Sequence, residues 1–107
     1  MRIWPPWTPS GAMMRVRWLQ AARRNLEAAV EYIAQDNPDA ARKLYAHIRE
    51  RATALTDQPN MGKPGRVFGT RELVIDKYPY LIPYRVLGDE VQVLRVFHTS
   101  RKPPQGW

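Results

Sequence analysis

Four arginines and one histidine in the C-terminal half are the residues best suited to chemistry. They are Arg71, Arg85, Arg95, His98 and Arg101. An arginine guanidinium binds carboxylates and other planar anions through paired hydrogen bonds, and an imidazole exchanges protons near neutral pH. Arg85 and Arg95 fall in two apolar runs that we predict to be neighbouring strands. The pattern therefore predicts a surface that recognises an anionic partner.

Each of these side chains also has a purely structural alternative. Arg71 could pair with Glu72, with Asp76 or with an acid on a helix. His98 ends a predicted strand on the core side, which favours a hydrogen-bonded structural histidine over a general base. Arg101 could belong to a solvated tail. The sequence leaves these alternatives open.

The composition is that of a globular protein with one domain. The chain has 107 residues, of which 44% are hydrophobic and 25% are charged. No apolar run approaches the roughly 20 residues that cross a bilayer. The chain has no cysteine, which excludes disulfides and thiolate chemistry, and we expect a cytoplasmic protein. His47 and His98 are isolated, so we expect neither a metal nor a cofactor.

Basic residues outnumber acidic ones by 17 to 10, which gives a formal net charge of +7. Such a field attracts polyanions, so nucleic acid, a ribonucleoprotein and an acidic protein are candidate partners. A solvated basic face is the plainer alternative. The excess is concentrated in residues 58–71 and 91–107, which contain basic residues and no acid. A loop and the C-terminal tail thus carry the excess charge.

The chain divides into a leader, one folded domain and a tail. Residues 1–13 are rich in proline, lack periodicity and lack the long apolar stretch of a signal peptide. We predict a disordered or mis-assigned leader over residues 1–13, a domain over residues 14–102 and a tail over residues 103–107. The alternation of residues 14–18 predicts a short N-terminal strand with one buried face.

Two amphipathic helices follow this strand. Residues 20–35 carry an apolar stripe made of Ala22, Leu26, Ala29, Val30 and Ile33. Asn37 and Pro38 predict the cap and first turn of a second helix that runs to about Thr56. Its stripe comprises Ala41, Leu44, Tyr45, Ile48, Ala52 and Leu55. The short connection predicts an antiparallel helical hairpin.

A Gly/Pro loop and three strands complete the domain. The loop, residues 57–70, lacks the GK[ST] of a phosphate-binding loop. We predict strands over Arg71 to Ile75, Tyr80 to Leu87 and Val91 to Phe97, with a tight turn at Gly88. Pro83 cannot donate to a strand ladder, so we expect an irregularity beside it.

Alternation along these strands predicts a core face and an open face. The core face would hold Leu73, Ile75, Tyr80, Ile82, Tyr84, Val86, Leu94 and Val96. The open face would hold Glu72, Val74, Leu81, Pro83, Arg85, Val93, Arg95 and Phe97. Two helices cover one side of a small sheet, so the open face is predicted to meet water or a partner. Arg71 would project from the rim or fold over the edge of the core.

Four segments in this order are similar to the RelE/ParE superfamily of bacterial type II toxins. They are NPDAA at the helix junction, GTREL at the start of the hairpin, PYLIPYRV, and VLRVFHTSR at the close. The resemblance covers residues 14–102. It implies an α+β fold in which an N-terminal strand, an antiparallel helical hairpin and a three-stranded antiparallel meander follow one another, with the helices on one sheet face. It also implies a cytoplasmic toxin that an acidic antitoxin neutralises in a hetero-oligomer.

The superfamily has two activities. RelE-like members cleave mRNA in the ribosomal A site, using basic side chains to stabilise the transition state and an aromatic or histidine for proton transfer. ParE-like members poison DNA gyrase and need no catalytic constellation. The positions where ribonuclease members place lysine or arginine correspond here to Glu72, Val74 and Leu81, which cannot bind phosphate. Thr99 stands where an aromatic residue is expected after His98.

The resemblance therefore implies a ParE-like toxin that binds DNA gyrase and needs no cofactor. The alternatives are a ribosome-dependent mRNA endonuclease and a toxin-like binding module without toxicity. A ribonuclease would use Arg85, Arg95, His98 and Arg101. Binding to the target or the antitoxin is predicted for Arg71, Leu81, Arg85, Arg95, Phe97 and Arg101.

Overall fold

The computed structural model describes residues 14–100, and the predicted leader and the tail lie outside them. Its strands are β1 (Arg15–Trp18), β2 (Lys63–Pro64), β3 (Arg71–Val74), β4 (Tyr80–Leu87), β5 (Glu90–Val93) and β6 (Phe97–His98). Its helices are α1 (Gln20–Ala34) and α2 (Pro38–Thr53), and α2 continues into a 3-10 turn at Ala54–Thr56. Both helices pack on the same side of one sheet, so the predicted α+β fold class is confirmed.

The strands form one mixed sheet in the order β1-β5-β4-β3-β2. β1 lies parallel to β5, and the other pairs are antiparallel. β6 pairs with the first half of β4, whereas β5 pairs with its second half. β4 is therefore the central strand, and β1 lies at one edge of the sheet.

The helical hairpin forms where its apolar stripes and its cap predict it. Asn37 caps α2 because its side-chain oxygen accepts a hydrogen bond from the Ala40 amide at 3.0 Å. Leu26, Leu44 and Ile48 are buried in the core against the sheet. Tyr45 is an exception, since it is exposed although the stripe predicted it to be buried. No helix within residues 14–100 is long and apolar enough to cross a membrane.

The predicted closing strand over Val91 to Phe97 is broken into β5 and β6. Tyr84 pairs with Val93 and Leu81 pairs with Phe97, so two residues of β4 face three residues of the closing segment. The extra residue makes a bulge beside Pro83, whose carbonyl accepts from the Leu94 amide at 2.9 Å. The irregularity expected at this proline is confirmed. A proline fits this central strand because the side on which it lacks a backbone N–H faces the bulge between β5 and β6.

The bulge reverses part of the predicted face assignment, because one extra residue shifts the alternation. Val93 lies in the core although it was assigned to the open face. Leu94 lines a surface groove beside Arg85, so its assignment to the core face was wrong. Val86 was also assigned to the core, but it lies near the turn and is 38% exposed.

The side of the sheet opposite the helices, here called the outer face, is less open than predicted. Glu72, Leu81 and Pro83 are all buried on it. Residues 65–70 fold over its centre, because Glu72 accepts the Arg66 amide at 3.0 Å and lies 3.5 Å from the Arg66 guanidinium. The loop also contributes β2, which pairs with β3 and was not predicted. The loop thereby covers the centre of the outer face and leaves Arg85 and, nearer the turn after β3, Val74 exposed.

Candidate functional site

A row of polar side chains crosses the outer face from β4 to β1. Arg85 Nε donates to Gln92 Oε1 at 2.8 Å, and Gln92 Nε2 donates to Glu90 Oε1 at 2.7 Å. The Arg17 guanidinium lies 3.9 Å from the same Glu90 oxygen. Strand alternation causes this alignment, because Arg17, Gln92 and Arg85 occupy facing positions in the register. The row holds the Arg85 guanidinium by one nitrogen.

Arg85 is exposed at the end of this row and lies in an apolar setting. A groove of about 430 Å³ runs beside it, lined by Leu19, Val67, Phe68, Gly69, Thr70, Leu87 and Leu94. The hydrogen bond to Gln92 uses Nε, which leaves the two terminal nitrogens of the guanidinium available to a ligand in the groove. A guanidinium with free donors in an apolar rim favours a carboxylate-bearing ligand.

The loop that borders the groove is closed by its own hydrogen bonds. The Gly65 amide donates to the Thr70 carbonyl at 2.8 Å, and the Thr70 amide donates to the Val67 carbonyl at 3.1 Å. Gly69 has a φ of 82°, a conformation that side chains disfavour, so glycine permits the turn. The closed loop leaves the side chain of Phe68 fully exposed at its tip.

Arg71, a predicted binding residue, lies on β3 close to Arg85 in the sheet but on the opposite face, where it stabilises a loop. Its register partner is Tyr84, so it points to the helix side. Its guanidinium donates to the Gly62 carbonyl at 2.7 Å and to the Asn60 carbonyl at 3.4 Å. Arg71 therefore folds over the edge of the core. Its partners are loop carbonyls and not the acids Glu72 or Asp76.

The remaining predicted residues are dispersed over the fold. Leu81 and Phe97 are register partners on the outer face, where Leu81 is buried and Phe97 is half-buried. Arg95 lies in the bulge, half-buried, and donates to the neighbouring Leu94 carbonyl at 3.0 Å. Arg101 lies outside the described residues. The structure thus places Arg85 in the groove and leaves Leu81, Arg95 and Phe97 away from its lining.

His98 lies on the opposite side of the sheet from Arg85. It pairs in register with the core residue Tyr80, and the two rings meet edge to face with centroids 5.2 Å apart. Its Nδ1 accepts the Ser100 amide at 3.2 Å and lies 2.7 Å from the Ser100 hydroxyl. These contacts make His98 a hydrogen-bonded residue at a strand end. Arg85 and His98 cannot act on one phosphate, because the sheet separates them.

The family of the chain follows from comparison with known proteins. A family model described as the ParE toxin of type II toxin-antitoxin systems, parDE, matches residues 16–103. The chain belongs to the ParE toxin family. The predicted membership of the RelE/ParE superfamily is thereby confirmed, and the chain is a type II toxin.

Two curated relatives carry toxin names. The chain is 44% identical over 91 residues to toxin Y4kP of Sinorhizobium fredii, covering 85% of this chain and 94% of that protein. It is 33% identical over 89 residues to toxin RelE2 of Caulobacter vibrioides, covering 83% of this chain and 99% of that one. One of these relatives carries the RelE name, whereas the matching family model carries the ParE name.

Two solved structures share the fold. The chromosomal ParDE system of P. aeruginosa contains a chain that matches with a TM-score of 0.75 and 31% identity, over 80% of this chain and 96% of that one. The RelBE2 toxin-antitoxin complex of Mycobacterium tuberculosis matches with a TM-score of 0.56 and 28% identity, over 79% and 96% of the two chains. Both neighbours come from toxin-antitoxin systems.

The toxin has a second charged surface, which the sequence did not indicate. The Arg49 guanidinium lies 5.4 Å from the Trp18 ring and 5.5 Å from the Tyr45 ring, and it donates to the Tyr45 hydroxyl at 2.8 Å. The available signal was the spacing of Tyr45 and Arg49, which places them one helical turn apart. Tyr45 had been assigned to the core stripe, so this pair was missed.

Arg49 and Trp18 also border a groove along the edge of β1 that pairs with no other strand in residues 14–100, here called the edge groove. It has a volume of about 540 Å³ and is lined by Arg15, Val16, Arg17, Trp18, Arg23, Arg49 and Glu90. Four of these seven side chains are arginines and one is an acid. The edge groove is therefore strongly cationic, with aromatic surface beside the charge.

A third polar cluster joins α2 to the turn between β3 and β4. His47 Nε2 donates to Asp76 Oδ1 at 3.0 Å, and the His47 ring packs against Tyr78 with centroids 5.4 Å apart. The hydrogen bond from His47 lowers the pKa of the Asp76 carboxyl below its ordinary value of 3.8, and the nearby charges of His47 and Arg51 add to this. This contact orients the turn and lies remote from Arg85.

Replacing His47 with alanine is expected to return the Asp76 pKa toward 3.8, because the hydrogen bond is its main cause. A carboxyl whose pKa is lowered in the folded state stabilises the fold at pH values above its ordinary pKa. This contribution is lost as the pH falls through the pKa of the folded state. NMR titration of the carboxyl carbons measures the pKa of Asp76 in the wild-type protein and in the His47→Ala variant. The control is Asp39, whose pKa Lys43 lowers independently and which should not change. An unchanged Asp76 in the His47→Ala variant contradicts the assignment.

The geometry of the toxin suits binding better than phosphate cleavage. The ribonuclease candidates Arg85 and His98 lie on opposite faces, and Glu72 occupies an outer-face position under the Arg66 loop. Within residues 14–100, no three His, Asp or Glu side chains gather closely enough to hold a metal ion. Two grooves in the described part of the chain are lined by arginines, the groove beside Arg85 and the edge groove.

Proposed function

We propose that this toxin inhibits growth in the cytoplasm by binding an essential protein, and that the target is DNA gyrase. The separation of Arg85 and His98 by the sheet carries this proposal, because a phosphate-cleaving site needs its cation and its proton carrier on one reacting group. The Arg85 groove supports it as well, since a single open cation among apolar side chains suits a protein ligand. Gyrase itself is proposed by analogy with ParE-like toxins.

Inducible expression without an antitoxin separates this activity from the alternatives. A gyrase-binding toxin should produce filamentous cells and DNA-damage signalling, and the purified toxin should bind gyrase directly. Immediate translation arrest with codon-phased mRNA cuts would instead indicate a ribosome-dependent endonuclease. Unaffected growth would indicate a binding module without toxicity. Measuring cell length, a DNA-damage reporter and labelled amino-acid incorporation in one time course distinguishes these outcomes.

The proposal includes an acidic antitoxin as the partner in a hetero-oligomer. The edge groove is the surface that suits it, because four arginines surround one acid there. The Arg15 amide donates to the Asp89 carbonyl before β5, and the Leu19 amide donates to the Val93 carbonyl at the end of β5. Alternate residues of β1 therefore bond to β5, and the backbone groups of Val16 and Trp18 between them point away from the sheet. An extended segment could add to this edge, with acidic side chains reaching the arginines on both faces.

Reversing the charge at the edge groove should weaken the antitoxin complex. Arg49→Glu places an acid between Trp18 and Tyr45, and we expect the dissociation constant to rise at least about tenfold. Arg24→Glu changes the net charge equally on the exposed side of α1 and serves as the control. Calorimetric titration with the purified antitoxin measures both. Equal weakening by the two variants would mean that overall charge, and not the edge groove, governs binding.

A further inference from the structure

We infer that Phe68 and Leu87, with Arg85 beside them, form the surface through which the toxin binds its target protein. The ligand we assign to this surface is a protein segment that carries a carboxylate next to an apolar side chain. The inference rests on the proposed function, since it requires a toxin that acts by binding. It places the contact on the groove side of Arg85 and excludes Leu81 and Phe97 from it.

The exposure of apolar side chains here is the first observation. Phe68 has a relative exposure of 101% and Leu87 of 49%, and both line the groove of about 430 Å³ beside Arg85. A large aromatic side chain held in water at a loop tip contributes nothing to the core of its own chain. Aromatic residues of this kind dominate the energetics of protein interfaces when a partner buries them.

The rigidity of the loop is the second observation. The hydrogen bonds between Gly65, Val67 and Thr70 close the loop on itself, and the contacts of Arg66 with buried Glu72 fix it to the sheet. A loop that is already ordered loses little conformational freedom when a partner binds. Phe68 is therefore presented in one position, as an interface anchor requires.

Charge decides the class of the ligand. Among residues 14–100, Arg85 is the one cation that lines the groove, and its neighbours Leu19, Val67, Leu87 and Leu94 are apolar. Nucleic acid binding needs several cations along a phosphate backbone, and the groove does not provide them. A single guanidinium with two free nitrogens matches one carboxylate, and the apolar rim removes water from that pair. These features favour an acidic, partly apolar protein segment.

The groove is distinct from the surface proposed for the antitoxin. The edge groove follows the outer edge of β1, whereas Phe68 and Leu87 lie on the other side of β5. Substitutions in the groove should therefore affect the target and the antitoxin differently. This difference allows the two surfaces to be tested in the same protein.

The decisive variant is Phe68→Ala, because a fully exposed side chain can be removed without loss of core packing. We expect it to bind purified DNA gyrase at least about tenfold more weakly than the wild-type toxin, to inhibit growth correspondingly less, and to retain its affinity for the antitoxin. Tyr32→Ala is the matched control, since Tyr32 is an aromatic residue with 69% exposure on α1. It should behave as wild type in all three assays.

The outcomes separate this inference from the proposed function. A wild-type toxin that neither binds gyrase nor inhibits growth ends both. If the wild-type toxin inhibits growth without binding gyrase, only gyrase as the target is rejected. The inference about the surface then stands if Phe68→Ala inhibits growth less than wild type, and fails if it does not. A Phe68→Ala variant as active as wild type overturns the inference and leaves the proposed function standing. If Phe68→Ala loses only its affinity for the antitoxin, or loses an mRNA-cleaving activity, the groove binds another ligand and the inference is overturned as well.

Discussion

Tyr84→Ala is expected to destabilise the toxin by about 4 kcal/mol, a large share of the roughly 5–15 kcal/mol that holds a small domain folded. Tyr84 lies in the central strand and is the largest fully buried side chain within residues 14–100. Its hydroxyl donates to the Pro59 carbonyl at 2.7 Å and accepts the Gly62 amide at 2.9 Å. The ring fills the core, and the hydroxyl fixes the loop above it.

Thermal and urea unfolding followed by circular dichroism measure this loss. For a domain of this size we expect a fall in melting temperature of roughly 20 °C. Tyr84→Phe separates the two contributions, because it keeps the ring and removes the hydroxyl. It should cost about 2 kcal/mol, since two buried backbone groups lose their partner. A Tyr84→Phe variant as stable as wild type would show that the hydroxyl does not hold the loop.

Arg85→Ala should reduce growth inhibition and target affinity by about thirtyfold, which corresponds to roughly 2 kcal/mol of binding free energy. The reason is that Arg85 is the cation of the groove and its terminal nitrogens are free. The melting temperature should change by no more than a few degrees, because the side chain is exposed. Toxin induction titrated against growth rate, together with direct binding to gyrase, measures the effect.

Two further variants make this result specific. Arg24→Ala removes the same charge from the exposed side of α1 and should retain full activity. Arg85→Lys keeps the charge but not the planar fork, so activity should be intermediate if a carboxylate is bound through two hydrogen bonds. Full toxicity of Arg85→Ala would exclude the outer face as the working surface. Arg95→Ala should have the smaller effect, because Arg95 is half-buried in the bulge and contacts a backbone carbonyl.

The elements of the fold were largely predictable because their signals are local. The stripe of α1, the Asn37 cap of α2 and the alternation of β4 each depend on residues within a few positions of one another. The same reasoning failed at Val93 and Leu94, because one extra residue between β5 and β6 breaks the alternation that connects them to Val96 and Phe97. A bulge depends on pairing with a distant strand, so alternation within one strand cannot reveal it.

The candidate site was predictable only in part. Arg85 was identified because its place on a strand defines its face. Phe68 was missed because a loop has no periodicity, and its exposure depends on the hydrogen bonds that close residues 65–70. The stack of Trp18, Arg49 and Tyr45 was missed because it joins β1 to α2, which are separated in the chain. Contacts of this kind form only when the elements have packed.

By itself, the sequence determined the fold class, the helical hairpin, the basic charge and the family resemblance, because each of these is recorded in local pattern or composition. The tertiary structure decided which side chains share a surface. It placed His98 against Tyr80 on the helix side, Arg85 on the outer face and Glu72 beneath the Arg66 loop. The physical reason is that β-sheet faces and loop packing depend on pairing between distant segments, where a shift of one residue moves a side chain to the opposite side.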